Sequence, residues 1–415
     1  MTEKEEKHIK LIRDKENRRA ARERVKRQKE RRIAITIAAF FVVIALIYSF
    51  WNRYFNAYEE LTSTPNSDAN YTQFATFGNG YFKYSKDGVS YLDADENIIW
   101  TEAYNMEQPS ISIAGEYAAI ADLDGNQVKI YDVKGITGDY SMPYPIRNVQ
   151  MANQGVFCIV LEGDDANYIR LYDSNGGLLA DIKTQIENNG YPLAVAISSD
   201  GEKLAASFYG AEGINSKNVL SFYNFGEGGK GQNGNLVGTY QFEDMLIPKI
   251  VFMDDETVCV VGDNQTIFYQ MKEKPKKIRE INFDTEIKSV FSDEKYIGFV
   301  IENDEADVES ALAKKYQILL YNKYGKLKES FGREVIYENI RLQDNVIYCY
   351  SESECSLLRT NGTEFFCKNM GQNIVNILPG RNRREFLFLY SDRSARVRLK
   401  NSLNAEADDS LETEE

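Results

Sequence analysis

Between residues 71 and 400, apolar and polar residues alternate in short runs broken by Asp-Gly, Asn-Gly and Gly-Gly pairs. No long stretch carries the three-to-four-residue spacing of an amphipathic helix. A two-residue alternation puts the apolar side chains on one face of a pleated strand, and those pairs are the ones tight hairpin turns require. The region is therefore predicted to be all-β.

One strand pattern recurs: apolar, any residue, apolar, Tyr, then Asp or Asn. It is clearest in VKIYD (128–132), IRLYD (169–173), LSFYN (220–224) and ILLYN (318–322), and looser in VSYLD (89–93), TIFYQ (266–270), SLLRT (356–360) and ARVRL (395–399). The fourth residues, Leu92, Tyr131, Tyr172, Tyr223, Tyr269, Tyr321, Arg359 and Arg398, are spaced 38 to 52 residues apart. Another apolar strand precedes each of these, as in YAAIADLDG and VFCIVLEGD, and a further one usually follows, as in GLLADIKT and LVGTYQF. Units near 40 residues with about four strands are blades of a β-propeller, whose sheets cover one another when stacked radially. The recurring Tyr is expected to pack between blades. Eight units are countable, and eight blades are favoured, with seven as the alternative. The last unit runs out after its third strand near Leu399, so its outer strand must come from elsewhere; Tyr71–Phe77 (YTQFATF) is the N-terminal candidate.

A different pattern precedes the propeller. Ile33 to Trp51 (IAITIAAFFVVIALIYSFW) is uncharged over nineteen residues, which as a helix spans roughly 28 Å, about the hydrocarbon thickness of a bilayer. Arg31 and Arg32 flank it on one side and Tyr54 and Phe55 follow on the other, and no small-x-small cleavage site comes after it. It is expected to be an uncleaved transmembrane helix. The chain is then organised as a basic cytoplasmic tail (1–32), the helix (33–51), a polar stalk (52–70), the propeller (71–400) and an acidic, disordered tail (401–415).

Charge fits that topology. The first 32 residues hold 14 Lys and Arg against seven acids, leaving 35 basic and 56 acidic residues for the rest. A Lys/Arg excess before the helix places the N-terminus in the cytoplasm and the propeller outside it. An acidic body repels nucleic acid, so no nucleic-acid partner is expected for the propeller. The 27 Tyr and 22 Phe suit sheet rather than helix.

The stretch LAVAISSDGEKLAASFYG (193–210) has the cadence of an apolar strand, Ser-Asp-Gly, then Leu-Ala. It resembles bacterial WD-repeat-like and YVTN-like propellers. The whole arrangement resembles a family of bacterial membrane-anchored propeller proteins carried as a domain of unknown function. The Trp-Asp pair itself is absent, since the two tryptophans are Trp51 and Trp100 and neither adjoins an Asp. The resemblance implies a tethered binding propeller and transfers no catalytic residue.

Candidate chemistry is sparse. The single histidine, His8, lies in the basic tail, so the body holds no Ser-His-Asp or Cys-His nucleophile and no His-based metal site. Of the five cysteines, Cys158 and Cys259 sit in apolar strand runs, while Cys349, Cys355 and Cys367 fall in one unit where a cross-strand bridge stays open. Asp122–Asn126 (DLDGN) has a superficial likeness to a calcium loop but lacks the downstream Glu, and reads as a hairpin turn, as do Asp173–Gly176 and Asp200-Gly201. Gly226–Gly234 (GEGGKGQNG) lacks the Ser or Thr that must follow the Lys of a phosphate loop and is expected to be a long mobile loop. It and Glu302–Lys315 are insertions that packing does not need, and are the expected contact surface. No catalytic, cofactor or metal residue is assigned and no cofactor is expected. The expected function is a non-catalytic binding or scaffolding module, possible also as a sensor, integral to the bacterial cytoplasmic membrane by one span and facing a protein or envelope partner. The alternative is an envelope polysaccharide enzyme using paired carboxylates.

Overall fold

The computed structural model describes residues 29, 32, 35–44, 53–65, 72–212, 215–243, 245–303 and 314–401. The chain divides into two units, Met1–Tyr54 and Phe55–Glu415. In the first, residues 35–44 are helical. Among the described residues no helix is long and apolar enough to cross a membrane. Residues 33, 34 and 45–51 of the expected span lie outside the described residues, as do nearly all of the basic tail and residues 402–415 of the acidic one.

The second unit is an eight-bladed β-propeller, the number favoured over seven. Its described residues form thirty-two strands, numbered β1–β32 in chain order, in eight four-stranded antiparallel sheets. Blades 1 to 7 are consecutive meanders over residues 73–103, 109–141, 146–184, 191–242, 249–282, 287–333 and 339–369. Blade 8 joins residues 374–400 to β1 (Ala57–Pro65), which pairs antiparallel with β32 (Arg393–Lys400).

This corrects two expectations. The closing strand is β1, which polar composition had assigned to the stalk, and β2 (Gln73–Phe77) is instead the innermost strand of blade 1. The physical reason is position. An outermost strand has a neighbour on one edge only, so most of β1 faces water and its sequence stays polar.

Middle strands are covered on both faces and read as near-unbroken buried runs, as in β7 (Tyr117–Asp122), β11 (Phe157–Glu162) and β31 (Glu385–Tyr390). Fourth strands such as β9 (Gly135–Ser141) and β25 (Leu327–Arg333) alternate instead. The core lies in the seams between blades, and the recurring tyrosines lie there as expected: Tyr131, Tyr223, Tyr269 and Tyr321 are buried. Innermost strands are also stitched to the next blade by side chains. Lys249 Nζ donates to Val290 O at 3.0 Å, Arg341 to Ile377 O, and Asn376 Nδ2 to Phe74 O at 2.9 Å.

In a meander, turns between first and second strands and between third and fourth strands share one face of the ring. Turns between second and third strands, with the inter-blade links, share the other. The Gly226–Gly234 segment lies on the first face, and the described ends of the Glu302–Lys315 segment, residues 302–303 and 314–315, lie on the second.

Candidate functional site at the ring-closing seam

Seven of the eight seams are filled in the same way. A side chain from the fourth strand of one blade packs on the next blade: Trp100, Tyr140, Ile182, Tyr240, Ile281, Phe331 and Phe366 in turn. The three polar aromatics also bond the following blade. Trp100 Nε1 donates to Val133 O at 3.1 Å, Tyr140 Oη to Ser174 O at 3.3 Å and Tyr240 Oη to Pro275 O at 3.0 Å. A half-buried ring with a polar tip thus satisfies that tip at a backbone carbonyl in or just beside a turn.

The closing seam, between blades 8 and 1, departs from this rule. Its apolar layer holds Phe74, Tyr81 and Leu92 from blade 1 and Leu378, Leu387 and Leu389 from blade 8, with no contribution from the fourth strand β1 among the described residues. Two sequence features coincide here. Blade 1 carries Leu92 where five of the other seven units have Tyr, and β1 ends in Thr62, Ser63, Thr64 and Pro65. A cleft of about 740 Å³ results, with Phe74, Tyr81 and Leu92 at its floor and Thr64, Ser90, Thr101 and Ser394 on its walls. That volume falls in the range of ligand sites, roughly 300–1,000 Å³.

Polar contacts hold the cleft open. Arg393 clamps Glu60 through two bonds, Nη1 to Oε2 at 2.7 Å and Nη2 to Oε1 at 2.9 Å, which fixes β1 to β32. These bonds keep the Glu60 carboxyl below its usual pKa. On the blade 1 side, Asp95 pairs with Arg381 and Arg396, and Glu96 Oε2 accepts from Ser394 Oγ at 2.5 Å. Ser90 and Thr101 share a 2.9 Å hydroxyl bond. Burial, with Glu96 nearby, raises the Tyr81 hydroxyl pKa and keeps it neutral. Of the three cleft carboxylates, Asp87, Glu96 and Glu102, Glu96 is engaged as described and Glu102 lies 3.8 Å from Lys129 Nζ.

The residues singled out from sequence fall elsewhere. Asp122–Asn126 is a turn: Gly125 N donates to Asp122 O, Asp122 Oδ1 accepts from Gln108 N, and Asp124 N reaches Ile146 O of blade 3. Asp173 Oδ1 accepts from Asn175 N and Gly177 N, each at 2.8 Å. Asp200 N donates to Asp255 Oδ1 of blade 5 at 2.8 Å. Among the described residues no group of three His, Cys, Asp or Glu side chains could hold a metal. All five cysteines are free, four of them buried and Cys367 exposed.

Gly226–Gly234 connects the third and fourth strands of blade 4, as a loop between strands was expected to do. It forms two 3₁₀ turns, Glu227–Gly229 and Asn233–Asn235, over buried Asn224. Asn224 Nδ2 donates to Lys272 O and Glu273 O of blade 5, and its Oδ1 accepts from Gly226 N. Of the Glu302–Lys315 insertion, residues 304–313 lie outside the described residues, and its neck is closed by Asn303 N donating to Lys315 O at 2.8 Å. Sequence reasoning missed the closing-seam cleft. The Leu at the fourth position of VSYLD was visible, but SLLRT and ARVRL lack Tyr there too, and it had no meaning until β1 was known to be the neighbour.

The sequence profile of a family of unknown function, DUF5711, matches residues 51–399, and the chain belongs to that family. Among curated proteins none matches it in sequence. Solved structures share its fold. BamB from Moraxella catarrhalis superposes with a TM-score of 0.50 at 13% identity, over 83% of this chain and 99% of that one. A eukaryotic initiation factor does so with 0.52 at 11% identity, over 82% and 87%. Sqt1 from Chaetomium thermophilum, solved bound to the N-terminus of ribosomal protein L10, gives 0.49 at 10% identity, over 78% and 92%.

Proposed function

We propose that this DUF5711 member is a non-catalytic binding module, held outside the cytoplasm of a bacterial cell by one membrane-spanning helix, and that it engages a protein partner through the closing-seam cleft. The observation that carries the reading is the difference between seams: seven are filled from within, while the eighth leaves an amphipathic cleft with an aromatic floor. The uncharged run from Ile33 to Trp51 and the Lys/Arg excess before it support the tether and its orientation.

The test is a photo-crosslinking amino acid at Ser90 in the cleft, compared with one at Lys328 on the outer strand of blade 6, in intact membranes. A discrete adduct from Ser90 and none from Lys328 is the expected result. Equal labelling from both positions removes the cleft as the site. Protease added to spheroplasts should digest the propeller and spare the basic tail. A protected propeller overturns the orientation.

A further inference from the structure

Resting on that binding reading, we infer that the closing-seam cleft takes an aromatic side chain presented by an extended segment of a protein partner. The fold itself supplies the template. Trp100 stacks on Tyr131 with centroids 5.5 Å apart and planes 10° from parallel, Tyr140 on Phe157 at 5.8 Å and 25°, and Tyr240 packs on Tyr269 at 5.1 Å. Each of these rings is carried on a fourth strand and covers the next blade, bonding a carbonyl in or just beside the turn between that blade's third and fourth strands. At the closing seam Arg396 Nη2 donates to the corresponding turn carbonyl, Ala94 O, at 2.8 Å, and the fourth strand offers Thr62 and Thr64 instead of a ring, which leaves a cleft over Phe74, Tyr81 and Leu92.

The walls match the rest of such a ligand. An extended segment brings backbone N–H and C=O groups beside its ring, and Thr64, Ser90, Thr101 and Ser394 present hydroxyls that both donate and accept. Among the described residues Glu96 Oε1 accepts a long 3.4 Å bond from Thr62, which leaves it an acceptor for an indole N–H or a phenol O–H. An aromatic side chain is also the anchor that concentrates binding energy at protein interfaces, because it buries a large area at little entropic cost. A saccharide would meet the same hydroxyls, and the experiment separates it.

The probe is a peptide copying residues 236–242, the strand that carries Tyr240, titrated by fluorescence anisotropy against the full chain in detergent. The same peptide with alanine for both aromatics is the control. Saturable binding of the first and at least tenfold weaker binding of the second are expected. Thr64→Trp and Thr101→Trp, which fill the cleft from opposite walls, should each abolish binding without lowering the melting temperature. Equal affinity for the two peptides, or full binding by well-folded forms of both variants, overturns the inference. Binding of an N-acetylglucosamine tetramer instead, lost in Thr64→Trp, overturns the peptide assignment while leaving the cleft a binding site. Failure of both probes together with no crosslink from Ser90 removes both readings.

Discussion

Asp93, Asp132, Asp173 and Asn322 each close a turn with one side-chain oxygen, which accepts two backbone N–H groups; for Asn322 these come from Tyr324 and Lys326 at 3.0 Å each. The recurring Tyr-Asp or Tyr-Asn pair thus has two jobs, seam packing and turn closure, and only the first could be read from its spacing. Asx turns leave a composition signature shared by every loop, so the sequence could not assign the second. The cysteines were legible in the same partial way. Apolar neighbours implied that Cys158 and Cys259 are buried, but Cys349 and Cys355 lie in a unit where a bridge stayed open until their neighbours were known. Burial pushes the Cys259 and Cys349 thiols up to about 12, and raises those of Cys158 and Cys355 as well. An exposed-thiol titration of the native chain should therefore count one reactive cysteine of five, and Cys367→Ser should abolish it. Two or more fast-reacting thiols would contradict the packing of blade 7.

Two elements decide how the ring is held. β1 was hidden in the sequence because AYEELTSTP has an edge strand's polar composition and its partner lies more than 300 residues away. The YTQFATF run was preferred for its cleaner alternation, which in fact marks an inner strand. The β1 clamp has a pH signature. Because Arg393 holds Glu60 below its usual value of 4.5, the contribution of this pair is full above that value and is lost as pH falls through the lowered one. Amides of β1 should lose hydrogen-exchange protection on going from pH 6 to pH 3 before those of β31 do, and Glu60→Gln should level the difference at pH 6. The second element is the segment over Asn224. A Cβ on Gly229 would stand 1.6 Å from Asn224 O, so Gly229→Ala must displace backbone at a cost of about 3 kcal/mol or more. Asn224→Ala, which strips a buried amide of its bonds to blade 5, should cost about 2 kcal/mol by denaturant melts. Little loss in both would restore the expectation of a dispensable loop.

At the scale of the whole molecule, the blade count was legible because each unit repeats one pattern, and repetition survives local ambiguity. The cleft was not legible, because it arises from two non-repeating residues that only ring closure brings together, Leu92 from blade 1 and Thr64 from a strand that precedes it. Closure should also dominate stability. Removing residues 1–54 keeps β1 and should leave the melting temperature nearly unchanged, whereas removing residues 1–65 should lower it by at least about 10 °C, at roughly 2–4 °C per kcal/mol for a domain of this order. Equal melting of the two truncations would mean that β1 contributes no closure. The same arrangement sets an order of events during translation. Glu60 and Arg393 are 333 residues apart, so at about 5–20 residues per second the first strand made waits roughly 20–60 s for its partner. During that interval β1 is an open edge beside seven maturing sheets. Two glutamates, a run of threonine and serine, and a terminal proline make it a poor template for any of them. The polarity that disguised this strand as a linker is what allows it to stay unpaired until the chain is complete.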